Sequence, residues 1–352
     1  HGLFQHICRA YELVLADASC VRCTADSDPD LFYALPWSYG TLGFLTAVEI
    51  DIVPIQNWVK VEYRACHTGK ELVQTFQQEV QGKKAGGGGN EFVEGLVYTR
   101  ESGVVMTANL TNQADVNKVN RIGYYSKPWF FKHVEKILKS TKSSDEVPVE
   151  YIPLRDYLHR HSRSIFWEVQ DIIPFGNNPI FRHLLGWAVP PKVSLLKLTQ
   201  GDVVKKMYEN HQMIQDMLVP LDCLTDSLDL FHKEVELYPL WLCPFKLPNH
   251  PGMLRSCQGC GDDKTAVEMF VDIGAYGTPK TRHFRPRETT RRIEEFVRSK
   301  RGFQMLYADT YMTREEFREM FDHSLYDKMR KKLGAVSAFP EVYDKVSKQA
   351  RY

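Results

Sequence analysis

No stretch of this 352-residue chain approaches the roughly 18 to 20 uninterrupted apolar residues that a membrane-spanning helix needs. It also lacks the basic start and apolar run of a secretory leader, opening instead with His1-Gly2-Leu3-Phe4. With no initiator Met and a start in mid-pattern, the chain reads as cut from a longer protein, so a membrane anchor in the whole protein stays open. Excess positive charge is missing too. The 45 Lys and Arg face 44 Asp and Glu, and the net charge of +1 lacks the basic surplus of a nucleic-acid binder. No nucleic-acid partner is expected. The locally basic segment 280–301 is interleaved with Glu288, Glu294 and Glu295 and reads as a solvated helix face.

Metal-ligand spacing is absent as well. Of the 8 cysteines, two pairs have C-x-x-C spacing, Cys20/Cys23 and Cys257/Cys260, but they sit at opposite ends of the chain. Zinc ribbons bring their halves within about 20 residues. Cys20 and Cys23 fall an odd number apart in an alternating strand, which points them to opposite faces. No metal is expected, and the thiols read as reduced and mostly buried. Gly69-Lys70 lacks the preceding glycine and following Ser/Thr of a phosphate loop, and the glycine run 86–89 lacks its lysine.

What is present is an ordinary globular composition, 43% hydrophobic and 25% charged, in a chain long enough for two cores. Residues 7–24 predict a hairpin turning at Ala16-Asp17-Ala18-Ser19. A short helix over 28–35 stops at Pro36, and a strand follows over 44–53. A strand at 59–63 leads to a capping box, Thr68 with Glu71, and a helix to about Val80. Strands are predicted at 91–98 and 104–108, a helix over 203–218, and a β pair near 237–243 and 267–273. Helix 289–300, strand 303–308, a second capping box at Thr313 and Glu316, and a helix ending before Gly334 complete the pattern. The expected class is α+β, with an antiparallel sheet and covering helices.

The most specific string runs Asp30-Leu31-Phe32-Tyr33-Ala34-Leu35-Pro36-Trp37-Ser38-Tyr39-Gly40-Thr41-Leu42-Gly43-Phe44-Leu45. Two glycines bracketing Thr-Leu ahead of a strand allow a backbone to approach a ligand closely. The string resembles the flavin-contacting segment of the vanillyl-alcohol-oxidase-like superfamily. Tyr124-Tyr-Ser-Lys-Pro-Trp-Phe-Phe-Lys-His133, Tyr151-Ile-Pro-Leu-Arg-Asp-Tyr157, His161-Ser-Arg-Ser-Ile-Phe-Trp-Glu168 and Phe339-Pro-Glu-Val-Tyr-Asp-Lys345 narrow the resemblance to the Δ24-sterol reductases.

That resemblance implies noncovalent FAD, NADPH as reductant and a sterol substrate whose side-chain double bond is reduced. It implies a PCMH-type flavin domain whose second half is residues 1–56, a substrate domain over 57–300, and a segment 301–352 packing back on the flavin domain. It further implies attachment of the full-length protein to the cytosolic face of the endoplasmic reticulum membrane. Carried onto this chain, the flavin contacts fall on His1, Gly2, Leu3, Pro36, Ser38, Gly40, Thr41, Leu42, Gly43 and Leu45. The first flavin subdomain, with the main pyrophosphate loop, would lie upstream of His1.

An isolated trisubstituted alkene accepts hydride poorly, so a general acid must protonate it, with its pKa raised by an apolar pocket. Candidates by type are Glu94, His161, Tyr276, Tyr307 and Asp309. Lys192 and Lys197 could meet NADPH phosphates as point charges. Two further readings stay open at this point: a catalytically silent fragment or sterol-binding module, and another FAD-linked oxidase.

Overall fold

In the computed structural model, residues 2–82, 89–143, 146–188, 211–254, 256 and 266–348 are described. Strand β1 (Cys8–Val14) lies between β2 (Cys20–Thr24) and β3 (Phe44–Ile50) in a small antiparallel sheet. The β1–β2 turn is the expected one, with Ala18 in the left-handed region at φ 65°. Cys20 is exposed and Cys23 buried, as their odd spacing requires. Helix α1 (Pro29–Ala34) is capped by Asp28, whose carboxylate accepts from the Leu31 N–H at 3.2 Å.

A larger antiparallel sheet of eight strands follows, in the order β11-β8-β10-β9-β5-β6-β4-β7. Its members are β4 (Trp58–Cys66), β5 (Phe92–Thr99), β6 (Ser102–Thr111), β7 (Val149–Pro153), β8 (Met213–Pro220), β9 (Leu240–Pro248), β10 (Val267–Gly277) and β11 (Phe303–Gln304). Its strands alternate sides. Leu242, Val271, Ile273 and Met217 face a core closed by α2 (Gly69–Gln81), α4 (Leu224–Glu234) and α5 (Pro286–Ser299). The opposite face, here the front, meets two cores. At one end Leu218, Phe245, Leu247 and Phe270 pack on the small sheet, α1, α6 (Arg314–Met320) and α7 (Ser324–Lys332). At the other, Leu96, Val104 and Met106 pack under α3 (Phe130–Ser140) and the aromatic segment around Trp167. The mixed helix and antiparallel-sheet class is thus the expected one.

Three local readings change. Residues 213–218, read as helix, form strand β8, because a strand buried on both faces shows no polar alternation to betray it. The expected strand 303–308 pairs over only two residues; beyond Gln304 the chain bends, its Met305 N–H donating to the Asp216 carbonyl at 3.0 Å. Thr68 caps α2 as expected, accepting from Glu71 N–H, but the Glu71 carboxylate accepts from His67 N–H at 2.9 Å, one residue before the capping-box position. The second box is complete, with Thr313 and Glu316 each accepting the other's N–H. The arginines of α5 are largely paired: Arg291 and Arg298 with Glu316, Arg292 with Glu234.

Candidate active site

The turn after α1 is built from residues L-amino acids rarely allow: Trp37, Tyr39 and Gly40 have φ of 69°, 51° and 74°. Such strain persists only where surroundings over-determine it, and here the C-terminal helices do so. Arg330, buried in α7, donates to the Thr41 carbonyl at 2.7 Å and to the carbonyls of Phe339 and Pro340. The Thr41 hydroxyl lies 2.6 Å from that of Tyr326, and Lys345 donates to the Tyr39 carbonyl at 2.6 Å.

The outer side of this turn forms a cavity of about 510 Å³. Leu3, Pro36, Ser38, Gly40, Gly43 and Leu45 line it, together with Trp37, Tyr39 and Met305. Six of the ten expected flavin contacts therefore come together. Thr41 and Leu42 do not line it: both are fully buried and face the C-terminal helices and the core. Gly2 is set against His6, whose Nδ1 would lie 2.0 Å from a Cβ there, and is not part of this lining. His1 lies outside the described residues. Gly43 is needed for strand packing, since a Cβ would sit 3.0 Å from the Val14 carbonyl oxygen. The lining fits a planar, mostly apolar heteroaromatic ring. Among the described residues it carries no Lys or Arg, so a pyrophosphate would find its donors elsewhere.

On the front face of the large sheet, Glu94 of β5 is 3% exposed. One carboxylate oxygen accepts from Arg160, at 2.7 and 3.0 Å. The other accepts from Trp241 Nε1 at 2.8 Å and lies 2.6 Å from His161 Nε2. Burial pushes the carboxyl up, but Arg160 and His161 outweigh it and hold it down to about 2. Burial keeps His161 below its ordinary value against the pull of Glu94. A neutral imidazole therefore donates its one N–H to Glu94, and its buried Nδ1 has no hydrogen-bond partner among the described residues. The ring stacks on Phe166 at 5.0 Å. Glu94 has no proton to give near neutrality and His161 has committed its own. Together they form a charge-balanced wall, and His161 is interior rather than part of a surface basic run.

A second cluster occupies the same face. Asp216 of β8 accepts from two tyrosines at once, Tyr276 on one carboxylate oxygen and Tyr307 on the other. The register makes this possible: Asp216 stands opposite Gly274. A Cβ at 274 would lie 2.6 Å from the Tyr276 hydroxyl, so the missing side chain is the space through which Tyr276 reaches Asp216. Burial raises the Asp216 carboxyl even against the two hydroxyl donors, and burial with the Asp216 charge raises both phenols. Tyr307 and Asp309 line a cavity of about 360 Å³. Asp309, however, pairs with Lys348 at 2.6 Å in a partly exposed position, which is not the apolar setting expected of a general acid.

Sequence reading missed Asp216 and Asp272. Each is an acid inside a mostly apolar strand run, Met213-Ile-Gln-Asp-Met-Leu-Val219 and Met269-Phe-Val-Asp-Ile-Gly-Ala-Tyr276, and that interruption was the available signal. Lys192, Lys197, Cys257 and Cys260 lie outside the described residues. Among the described residues no group of three or more His, Cys, Asp or Glu is arranged to hold a metal, and no helix is long and apolar enough to cross a membrane.

No family model matches the chain. Among curated proteins it is 55% identical over 352 residues to a protein of Homo sapiens named Delta(24)-sterol reductase. It is 44% identical over 362 residues to a Delta(24)-sterol reductase homolog of Caenorhabditis elegans, and 39% over 367 residues to the Delta(24)-sterol reductase of Arabidopsis thaliana. These matches cover 99–100% of the chain but only 65%, 66% and 64% of the three relatives.

Proposed function

From kinship over its whole length with the Delta(24)-sterol reductase family, we propose that this chain is the larger part of an enzyme reducing the Δ24 side-chain double bond of a sterol. The cofactor is noncovalent FAD and the reductant NADPH. On this reading residues 1–56 complete a PCMH-type flavin domain, 57–300 form the substrate domain, and 301–352 buttress the flavin turn. The full-length protein works at the cytosolic face of the endoplasmic reticulum membrane.

The observation that carries the reading is the 55% identity along all 352 residues. The site supports it chemically. Bound flavin supplies hydride, renewed from NADPH. The 36–45 turn and Met305 provide the wall for its ring, held from behind by Arg330, Lys345 and Tyr326. Residues outside this lining would meet the pyrophosphate. Phe166, Trp241 and the His161 ring offer an apolar, aromatic surface of the kind a sterol side chain would lie against. Glu94 neutralises Arg160 beneath that surface, so the wall can exclude water without leaving a bare charge. The proton is left to the acids and phenols of the Asp216 cluster.

The test begins with the visible spectrum of the purified chain after incubation with FAD and gel filtration. Retained flavin that bleaches with NADPH under anaerobic conditions, followed by reduction of desmosterol, is the expected outcome. Loss of flavin from this chain, with retention by the full-length protein, would instead assign it the silent-fragment role. A full-length protein that bleaches but leaves desmosterol untouched would overturn the sterol reading in favour of another FAD-linked oxidoreductase.

A further inference from the structure

Beyond the front-face clusters, the segment that follows Trp167 carries a ridge of large apolar side chains on its outside. Ile180, Leu184 and Trp187 recur at helical spacing along the short helix Pro179–Leu185 and the helical turn Gly186–Ala188 that follows it, so they form one stripe. They are 71%, 67% and 70% exposed. Phe175, edge-on to Phe181 at 5.2 Å, extends the stripe at one end. Tyr125, whose carbonyl would lie 2.9 Å from a Cβ on Gly186, and its ring neighbour Tyr124 extend it at the other. All three are exposed. Single apolar side chains on a surface are ordinary, but a contiguous ridge marks a place where something docks.

The ridge rests on a fixed base. Arg182 donates to the carbonyls of Asn177 and Ser126, at 3.0 and 2.6 Å, tying the short helix to the 121–127 turn. Arg163 holds that turn from behind, donating to the carbonyls of Ile122, Tyr125 and Lys127. Asn177 Oδ1 accepts from the Trp129 N–H at 2.9 Å, and Gly176 lies so close to the Trp129 ring that a Cβ would come within 2.7 Å of it. These contacts hold the apolar side chains outward. A groove of about 790 Å³ begins at Phe175 and shares Lys132, Asp171 and Thr278 with a cavity of about 680 Å³ that reaches Trp167 and Tyr276. Whatever covers the ridge therefore stands beside the way to the aromatic wall.

Charge selects the partner. Residues 116–134 and 172–188, which carry the turn and the ridge, contain no Asp or Glu. Arg121 and Lys127 stand exposed at the two ends of the turn, and His183 is exposed in the helix. Asp156 reaches the turn, but its carboxylate accepts from the Gly123 N–H at 3.3 Å. A second copy seated on the same surface would bring these bases against one another. A bilayer with anionic headgroups meets every part of the pattern: Ile and Leu enter the acyl boundary, Trp and Tyr sit at its polar edge, and the bases face the headgroups. We propose that the ridge from Phe175 to Trp187, with the 121–127 turn, seats this chain on an anionic lipid surface. This contact belongs to the chain itself and does not depend on the reaction proposed above.

Trp187 reports on the surface directly, because the tryptophan emission of the wild type minus that of Trp187→Phe isolates it. The full-length protein is mixed with vesicles of phosphatidylcholine and phosphatidylserine whose acyl chains are brominated. The Trp187 emission should be that of a water-exposed indole without vesicles, and should shift to the blue and be quenched with them. In flotation with unbrominated vesicles of the same lipids, the purified chain should rise with the lipid. Leu184→Ser combined with Trp187→Ser should lower its partition on the order of 10-fold or more with an unchanged melting curve. Leaving out phosphatidylserine, or adding salt, should also weaken it. Emission that stays water-like on vesicles would overturn the proposal. So would emission already blue-shifted without vesicles and untouched by bromine, which a covering protein segment or a second copy would produce. Partition within about twofold of wild type in the double variant, or equal with and without phosphatidylserine, overturns it too. Should the double variant fail to fold, the Trp187→Phe difference decides alone. None of these outcomes bears on sterol reduction, which is judged by flavin bleaching and desmosterol turnover.

Discussion

Replacing Glu94 by Gln keeps the shape of the side chain and removes its charge, in a place where the structure makes charge matter. Arg160 has a side chain only 14% exposed, and apart from Glu94 it keeps one carbonyl, that of Tyr157 at 2.8 Å, and the rings of Tyr157 and Phe130. Removing one partner of a buried ion pair costs about 3–5 kcal/mol, because the other is left buried and uncompensated. The titration leads to the same range. A carboxyl held at about 2 rather than 4.5 stabilises the fold by ~3 kcal/mol. Because this pKa is depressed, the contribution is complete above pH 4.5 and disappears as pH falls through about 2. Urea unfolding at pH 7 should therefore show Glu94→Gln less stable by ~3 kcal/mol. Between pH 4.5 and 2 the wild type should lose stability more steeply than the variant, and the two should converge. Adding Arg160→Met to Glu94→Gln should recover part of the loss. A difference below ~1 kcal/mol at pH 7, or identical acid slopes, would refute the ion-pair account.

Gly40→Ala should cost about 1–2 kcal/mol, since φ of 74° disfavours an L side chain even though a Cβ would have room, its nearest neighbour lying 3.6 Å away; the shift of the urea unfolding midpoint checks it. Gly274→Ala should push the Tyr276 hydroxyl off Asp216 and, on the proposed function, slow flavin reoxidation by sterol while leaving NADPH bleaching intact. Arg330→Met removes the donor to three carbonyls, and with each buried acceptor worth about 1–3 kcal/mol it should lower the urea midpoint clearly and release bound flavin.

Local grammar made much of the fold legible. The β1–β2 hairpin, α1 with Pro36 behind it, the β5–β6 pair and the Thr313 cap all rest on signals within a few residues, and all lie where the pattern put them. Strand β8 was misread because burial on both faces erased the alternation that marks a strand. The turn after α1 was half legible. Its glycines announced a special backbone, but which side chains line the cavity depends on Arg330, Tyr326 and Lys345, roughly 300 residues on, pulling Thr41 and the turn carbonyls inward. The Asp216 cluster was the least legible. Asp216 meets Tyr276 and Tyr307 only through strand pairing of β8 with β10 and the bend after β11. Residue type could nominate Glu94; it could not say that Arg160 would claim it.

That last point bears on how two buried carboxyls of one sheet face differ. Glu94 and Asp272 are both carboxyls, both buried, and both exposed by less than a tenth. Burial acts on them in the same direction, toward the neutral form. What separates them is their company. Glu94 receives a guanidinium, an indole N–H and an imidazole, enough donors to keep its charge. Asp272 receives the field of a second acid, Asp216, and no donor to Oδ1 among the described residues, which favours keeping its proton. Carboxyls pushed apart in this way are how a single site holds a fixed anion beside an available acid near neutral pH.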